Sequence, residues 1–346
     1  MKSEIHNIAA PLVRWYRQHE RAFPWREDPS PYRVWVSEIM LQQTRIEAAL
    51  PYFERFVQTL PTVHDLANAS EDVLLKLWEG LGYYSRVRNL QKAAKIVVAE
   101  YGGELPDTYE KLLTLPGIGE YTAGAIASIA FGKSAAAVDG NVLRVFARLT
   151  DDPTDVMQPK NRKRLSELVC SLVPQDDPGA FNQGIMELGE TVCLPNTQPR
   201  CHECPLAAYC AVCGTPRARE LPLRTPPKPR KTEKKTVFLV VTDDTPPRIL
   251  LHRREDGGLL GGMWEFPSGE TVTEFTDAEI LSTKKLPPAK HVFSHIEWHM
   301  SGQLVKVKSF TPKEAYCLLT KDEFISFALP TAFRKYRELL FEEDVL

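Results

Sequence analysis

The chain has 346 residues, more than one ordinary domain and long enough for sizeable cores. Its net charge of −2 gives no overall sign of a nucleic-acid partner, so any positive surface for one must be local. No run approaches the ~18 apolar residues of a membrane span, and Met1-Lys-Ser-Glu-Ile-His-Asn7 lacks the apolar stretch of a secretory leader. Seven cysteines, five of them crowded into residues 193–213, fit a metal site in a reducing compartment better than disulfides. A cytosolic protein with no membrane partner is expected.

In chain order the first half reads as helical. Ile5, Ile8, Ala9, Leu12, Val13 and Tyr16 recur at amphipathic-helix spacing. Ser30-Pro31 opens a second helix, with Ser as candidate N-cap and Pro at the first position. Leu90, Ala93, Ala94, Val97 and Val98 mark a third, closed near Gly102-Gly103. A turn at Gly117 and Gly119 precedes a helix over about 120–130, and another helix follows Asp139. From Gly214 to Lys235 eight Lys or Arg stand against two acids, with five prolines, which predicts an extended, semi-rigid tether. Beyond it the period changes. Residues 236–242, 248–253, 290–293, 304–308 and 316–319 are predicted strands, and 331–341 a terminal helix. The layout is a mainly α domain over 1–213, a tether over 214–235, and a smaller α+β domain over 236–346.

Gly117 and Gly119 expose bare N–H groups at the start of a helix, an arrangement that holds a phosphate. Asp139 places a carboxylate on the same scaffold. Taken alone, Gly-x-Gly is also an ordinary helix–helix turn and Asp139 an ordinary N-cap. Glu38 sits in the apolar stretch Val34-Trp-Val-Ser-Glu-Ile-Met-Leu-Gln-Gln-Thr44, where partial burial would raise its pKa and keep it protonated. Asp139, facing helix N–H groups, is expected to stay ionised. Two acids pushed apart in this way suit cleavage of a glycosidic bond. A surface acid with Gln42 at i+4 is the plainer alternative for Glu38.

The Gly-x-Gly turn near 113–125 followed by Asp139 resembles the helix-hairpin-helix signature of base-excision DNA glycosylases. Arg21-Ala-Phe-Pro-Trp-Arg26, Ser37-Glu-Ile-Met-Leu-Gln-Gln-Thr44, Gly80-Leu-Gly-Tyr-Tyr-Ser-Arg86 and Val138-Asp-Gly-Asn141 resemble, as a set, the motifs of the MutY adenine DNA glycosylases. The resemblance implies that Glu38 protonates an extruded adenine at N7. It implies that Asp139 supports the sugar cation or a covalent intermediate, with Asn141 and Tyr121 ordering the site. Trp25 and Arg26 fall where that family lines the adenine pocket, and Gln43 and Tyr83 where it wedges into the base stack. Arg21, Leu41, Thr44 and Gln183 are further candidates for contact with substrate or DNA. Tyr121 stands where lyase relatives such as endonuclease III carry a lysine, and tyrosine cannot form their Schiff base, so a monofunctional enzyme is implied.

Cys193, Cys201, Cys204 and Cys210 have the spacing C-x7-C-x2-C-x5-C, one residue longer in the first gap than the family's [4Fe–4S] pattern. Zinc held by Cys201, Cys204, Cys210 and Cys213 is the rival, although five residues between the pairs is short for a zinc ribbon. In the C-terminal half, Gly261-Gly-Met-Trp-Glu-Phe-Pro-Ser-Gly-Glu270 resembles the approach to a Nudix box, but the metal-binding acids that should follow are absent. His291-Val-Phe-Ser-His295 is similar to the MutY loop that reads 8-oxoguanine, with Phe293, Ser294 and His295 as its candidate contacts. The partner implied is duplex DNA with A·8-oxoguanine or A·G mispairs, bound by a monomer, with nucleoid association following from DNA binding. A glycosylase/lyase, a silent mismatch binder and a nucleotide-pool hydrolase are the alternatives weighed against this reading.

Overall fold

The computed structural model of the chain describes residues 5–226 and 228–342; Met1–Glu4, part of the stretch read as lacking a leader, lie outside it. In chain order the helices are α1 (Ala9–His19), α2 (Pro24–Glu27), α3 (Pro31–Leu41), α4 (Ile46–Thr59), α5 (Val63–Asn68), α6 (Glu71–Trp78), α7 (Ser85–Tyr101), α8 (Tyr109–Leu113), α9 (Glu120–Ile129), α10 (Gly140–Leu149), α11 (Pro159–Cys170), α12 (Pro178–Thr191) and α13 (Arg217–Glu220). Six strands follow, β1 (Lys231–Thr242), β2 (Ile249–Arg253), β3 (Trp264–Glu265), β4 (Ile280–Val292), β5 (Ile296–Val307) and β6 (Tyr316–Leu319), then α14 (Lys321–Ser326) and α15 (Arg334–Glu342). Among the described residues no helix is long and apolar enough to cross a membrane. Two compact units result, one of Met1–Ala69 with Ser85–Pro226, the other of Ser70–Tyr84 with Pro227–Leu346.

In the first unit α3 is the central helix. Pro31 occupies its first turn, and Tyr32 and Val34–Met40 are all buried, the pattern of a helix surrounded by protein rather than of a surface stripe. α10 and α12 pack beside each other, burying Val142, Phe146, Phe181, Ile185 and Leu188 in one core. Gly189 permits that approach, because a Cβ there would fall 2.7 Å from the Cβ of Asn141. Part of the stretch read as a tether belongs to this unit. Ala218 and Leu221 are buried against Val212, and the Leu223 carbonyl accepts the Val156 amide. Two apolar side chains among basic neighbours were enough to dock a segment whose composition reads as solvated.

The second unit is a sheet of order β3-β2-β1-β5-β4, with β6 paired to β2. β1 and β5 run parallel over their full length, and the other pairings are antiparallel. Val237–Val241 of β1 are buried on both faces, as expected of a central strand. β1 starts at Lys231, inside the predicted tether, because Lys231–Lys235 pair through backbone with Ile296–Met300 and need no apolar side chains to do so. β4 is far longer than the predicted 290–293. Pro287 and Pro288 argue against an inner strand, but β4 is an edge, and its register shifts between Leu286 and Ala289 to pass them.

Candidate active site

Glu38 lies on the last turns of α3 and is only 7% exposed. Burial pushes its carboxyl up to about 7, against the pull of the hydrogen bond from Tyr121 and of the Arg26 charge. Tyr121, in the first turn of α9, donates its hydroxyl proton to Glu38 Oε2 at 2.6 Å and lies 3.2 Å from Met186 Sδ. A side chain that orients an acid while leaving it protonatable near neutral pH is suited to general acid chemistry.

Asp139 is the N-cap of α10, and its Oδ1 accepts the Val142 amide at 2.8 Å. Its Oδ2 accepts from Asn141 Nδ2 at 3.0 Å; Arg144 donates to Asn141 Oδ1 at 2.7 Å and to the backbone carbonyls of Gly189 and Cys193. The expectation that these donors push its pKa away from that of Glu38 does not hold. Burial is the largest influence and raises the pKa despite them, so both acids move in the same direction.

The two acids and Tyr121 line one cavity of about 260 Å³ in the first unit. Trp25, Arg26, Leu41, Thr44, Asn141 and Gln183 line it as well, so nine of the sequence-derived candidates converge. Trp25 is mostly core, stacked on Phe23 at 5.1 Å and edge-on to Phe53 at 5.0 Å. Arg21 does not line the cavity: it pairs with Glu187 and with Glu190 (2.9 Å). Arg26 also binds Glu187, at 2.8 Å. Sequence reasoning missed Met186, Glu187 and Glu190, which join Gln183 on one face of α12 at helical spacing. The signal for Glu187 was the one that marked Glu38, an acid within an apolar helix.

The wedge candidates lie outside this cavity. Gln43 follows α3 in left-handed backbone, φ 59°, where Arg86 caps the helix by bonding the carbonyls of Ile39, Met40 and Gln42 at 2.9, 3.0 and 2.6 Å. Tyr83 also has a left-handed backbone, φ 48°, and is 45% exposed in the second unit. The two turn glycines differ. Gly117 needs to be glycine, with φ 79° and a Cβ position 2.8 Å from Asn89. Gly119 caps α9 in extended backbone with open space around it, so its part is to leave the helix amides uncovered.

Cys193, Cys201, Cys204 and Cys210 line one small cavity, of about 30 Å³, with Cys213 beside them. Arg148 donates to Cys193 Sγ at 3.2 Å. Burial and the neighbouring sulfurs push Cys204 up to about 12 and Cys210 to about 11, a thiol set that a bound positive centre would convert to thiolates. Among the described residues no three His, Cys, Asp or Glu gather as ligands of a single ion.

In the second unit, Phe293, Ser294 and His295 form the turn between β4 and β5, closed by the Phe293 amide on the Ile296 carbonyl at 2.8 Å. The Phe293 ring packs against His291 (4.5 Å) and Trp298 (4.9 Å), and Ser294 Oγ shares a 2.6 Å hydrogen bond with Tyr83 Oη. After Glu270 there is a short turn, Val272–Glu274, where a hydrolase of the Nudix type would need a helix of acids. The Glu274 carboxylate is spent accepting the amides of Glu270 and Thr271 at 2.7 Å each. A larger open groove, about 1020 Å³, is lined by Lys234, Lys235, Lys290 and His299 and holds none of these candidates.

The glycine turn, the carboxylate pair of one cavity and the cysteine loop all lie on the helical scaffold of the first unit, the scaffold of a base-excision DNA repair protein. Residues 36–171 match the HhH-GPD superfamily base excision DNA repair protein family, and residues 236–339 a NUDIX domain. The human adenine DNA glycosylase is 36% identical, covering 96% of this chain and 74% of that protein, and the rat adenine DNA glycosylase is 37% identical, covering 96% and 78%. A thermostable thymine-DNA glycosylase superposes with a TM-score of 0.55 at 28% identity, covering 61% of this chain and 97% of that one. The chain belongs to the adenine DNA glycosylase family.

Proposed function

We propose that this chain excises adenine mispaired with 8-oxoguanine or guanine in duplex DNA, hydrolysing the N-glycosidic bond without cutting the strand. The observation that carries the reading is Glu38, a buried carboxyl near half-protonation at neutral pH, facing a cavity it shares with Asp139. At about 260 Å³ the cavity is far too small for a duplex, so a base must be extruded from the stack to reach the two acids. Glu38 gives its proton to the departing adenine, held in place by Tyr121. Asp139 stabilises the positive charge that develops on the sugar. The open amides at Gly119 receive a backbone phosphate. Phe293, Ser294 and His295, with Tyr83, meet the base opposite adenine. Incubation with an A·8-oxoguanine duplex, with and without later alkali, tests this: free adenine should appear in both arms and a cut strand only with alkali.

The monofunctional reading is supported by Tyr121 and by the cavity lining, whose described residues include no lysine. Borohydride should therefore trap little or no covalent protein–DNA complex. Efficient trapping through any lysine would overturn it.

Cys193, Cys201, Cys204 and Cys210 would hold a [4Fe–4S] cluster, which when bound braces the loop carrying Arg200. Zinc on Cys201, Cys204, Cys210 and Cys213 is the weaker reading, because five residues between the two pairs is short for a zinc ribbon. Anaerobically purified protein should carry about four irons and four sulfides per chain and be yellow-brown. Stoichiometric zinc without sulfide would refute the assignment.

A further inference from the structure

Tyr83 and Ser294 are 211 positions apart, yet their hydroxyls meet within one compact unit. Tyr83 sits at the end of a glycine-rich loop, Gly80-Leu-Gly-Tyr83. Gly80, Gly82 and Tyr83 all have positive φ (109°, 70° and 48°), and its internal ties include Trp78 Nε1–H on the Gly82 carbonyl at 3.1 Å. At the loop's base Glu79 is the C-cap of α6. Its Oε2 accepts from Lys76 Nζ at 2.8 Å, and its Oε1 accepts from Arg337 and from the Leu329 amide at 3.1 Å. Lys76 also donates to the carbonyls of Ile325 (2.6 Å) and Phe327 (3.3 Å), and Arg337 to Ile325 (3.3 Å). Exposed ion pairs contribute little. This one is 21% exposed on the carboxylate and 20% on Arg337, has three donors on one carboxylate, and also engages the backbone carbonyls of Ile325 and Phe327.

We propose that Glu79 is a positioning residue for recognition of the base opposite adenine. Clasped by Lys76, Arg337 and the Leu329 amide, it fixes the loop bearing Tyr83 against the turn bearing Ser294, so that both hydroxyls reach that base in register. The proposal rests on the reading of Tyr83 and Ser294 as contacts to that base. Glu79 acts through them.

The test is single-turnover adenine release by saturating full-length enzyme on A·8-oxoguanine and A·guanine duplexes, read as the ratio of the two rates. Glu79→Ala and Arg337→Ala should each lower the ratio about tenfold, within the range that misplacement of a contact costs. Glu79→Gln, which keeps an acceptor for the Leu329 amide, should lower it less. Glu79→Ala combined with Ser294→Ala should lower it no further than the worse single variant, because both act on one element. Independent, multiplying losses would mean that Glu79 only supports stability, and would overturn the proposal. An unchanged ratio in Glu79→Ala alongside a reduced one in Ser294→Ala would overturn it while leaving the underlying reading intact. Unchanged ratios in both Ser294→Ala and Tyr83→Phe would sink the underlying reading itself. If Glu79→Ala fails to fold, Arg337→Ala probes the clasp from its other side.

Discussion

Glu38→Gln should bind mismatched duplex and lose about 10²–10⁴-fold in base release, the usual worth of a general acid. The amide keeps the size of the carboxyl and can still accept the Tyr121 hydroxyl, but it has no acidic proton to give. The pH profile identifies the cause. With the Glu38 carboxyl near 7, wild-type single-turnover release should be highest below neutrality and fall as pH rises through about 7. The variant should lack that limb. Stability should fall in the same direction. A carboxyl raised from 4.5 to about 7 on folding leaves stability fully present below 4.5 and lost as pH climbs through 7. The loss is about 3 kcal/mol on the alkaline side. Glu38→Gln escapes it and should melt higher than wild type at pH 8 while matching it at pH 4. Near-normal release by the variant would remove Glu38 from the mechanism.

Asp139→Asn separates two roles held by one side chain. Asparagine is as good an N-cap as aspartate, so the bond to the Val142 amide and the start of α10 should survive with little change in melting temperature. The negative charge does not survive, and a cationic sugar in a buried site would lose its counter-charge, costing about 10²-fold or more in release. Asp139→Ala should lose the cap as well, destabilising the protein by about 1 kcal/mol. A fully active Asp139→Asn would mean that the residue serves α10 alone.

The sequence placed the residues of the first unit's cavity better than it placed their electrostatics. Glu38, Asp139, Tyr121, Trp25, Arg26 and Leu41 were legible as motif residues, and they line one cavity. The rise in the Asp139 pKa was not legible, because a count of nearby N–H donors says nothing about how far water is excluded. Glu187 carried the signal of an acid within an apolar helix, but its partners Arg21 and Arg26 lie more than 160 positions earlier and add no local clue to it. In the second unit the apolar run of β1 was visible. The long edge strand β4 was not, since one side of an edge needs neither apolar side chains nor the amide that proline lacks. Nothing in residues 70–84 announces that they group with Pro227–Leu346, since the clasp consists of backbone carbonyls and three charged side chains.

That grouping also sets an order of events. α6 is made early, but the groups that hold it are made late: Ile325 follows Lys76 by 249 residues, and Arg337 follows Glu79 by 258. The entropy of closing so long a loop rises only as its logarithm, so the finished protein loses little by it. The nascent chain is in a different position. While it grows on the ribosome, α1 and the Arg21–Arg26 turn must wait for α12, and residues 70–84 must wait longer still, for α14 and α15. The tyrosine at the end of this segment is therefore among the first third of the chain to be synthesised and among its last parts to be set.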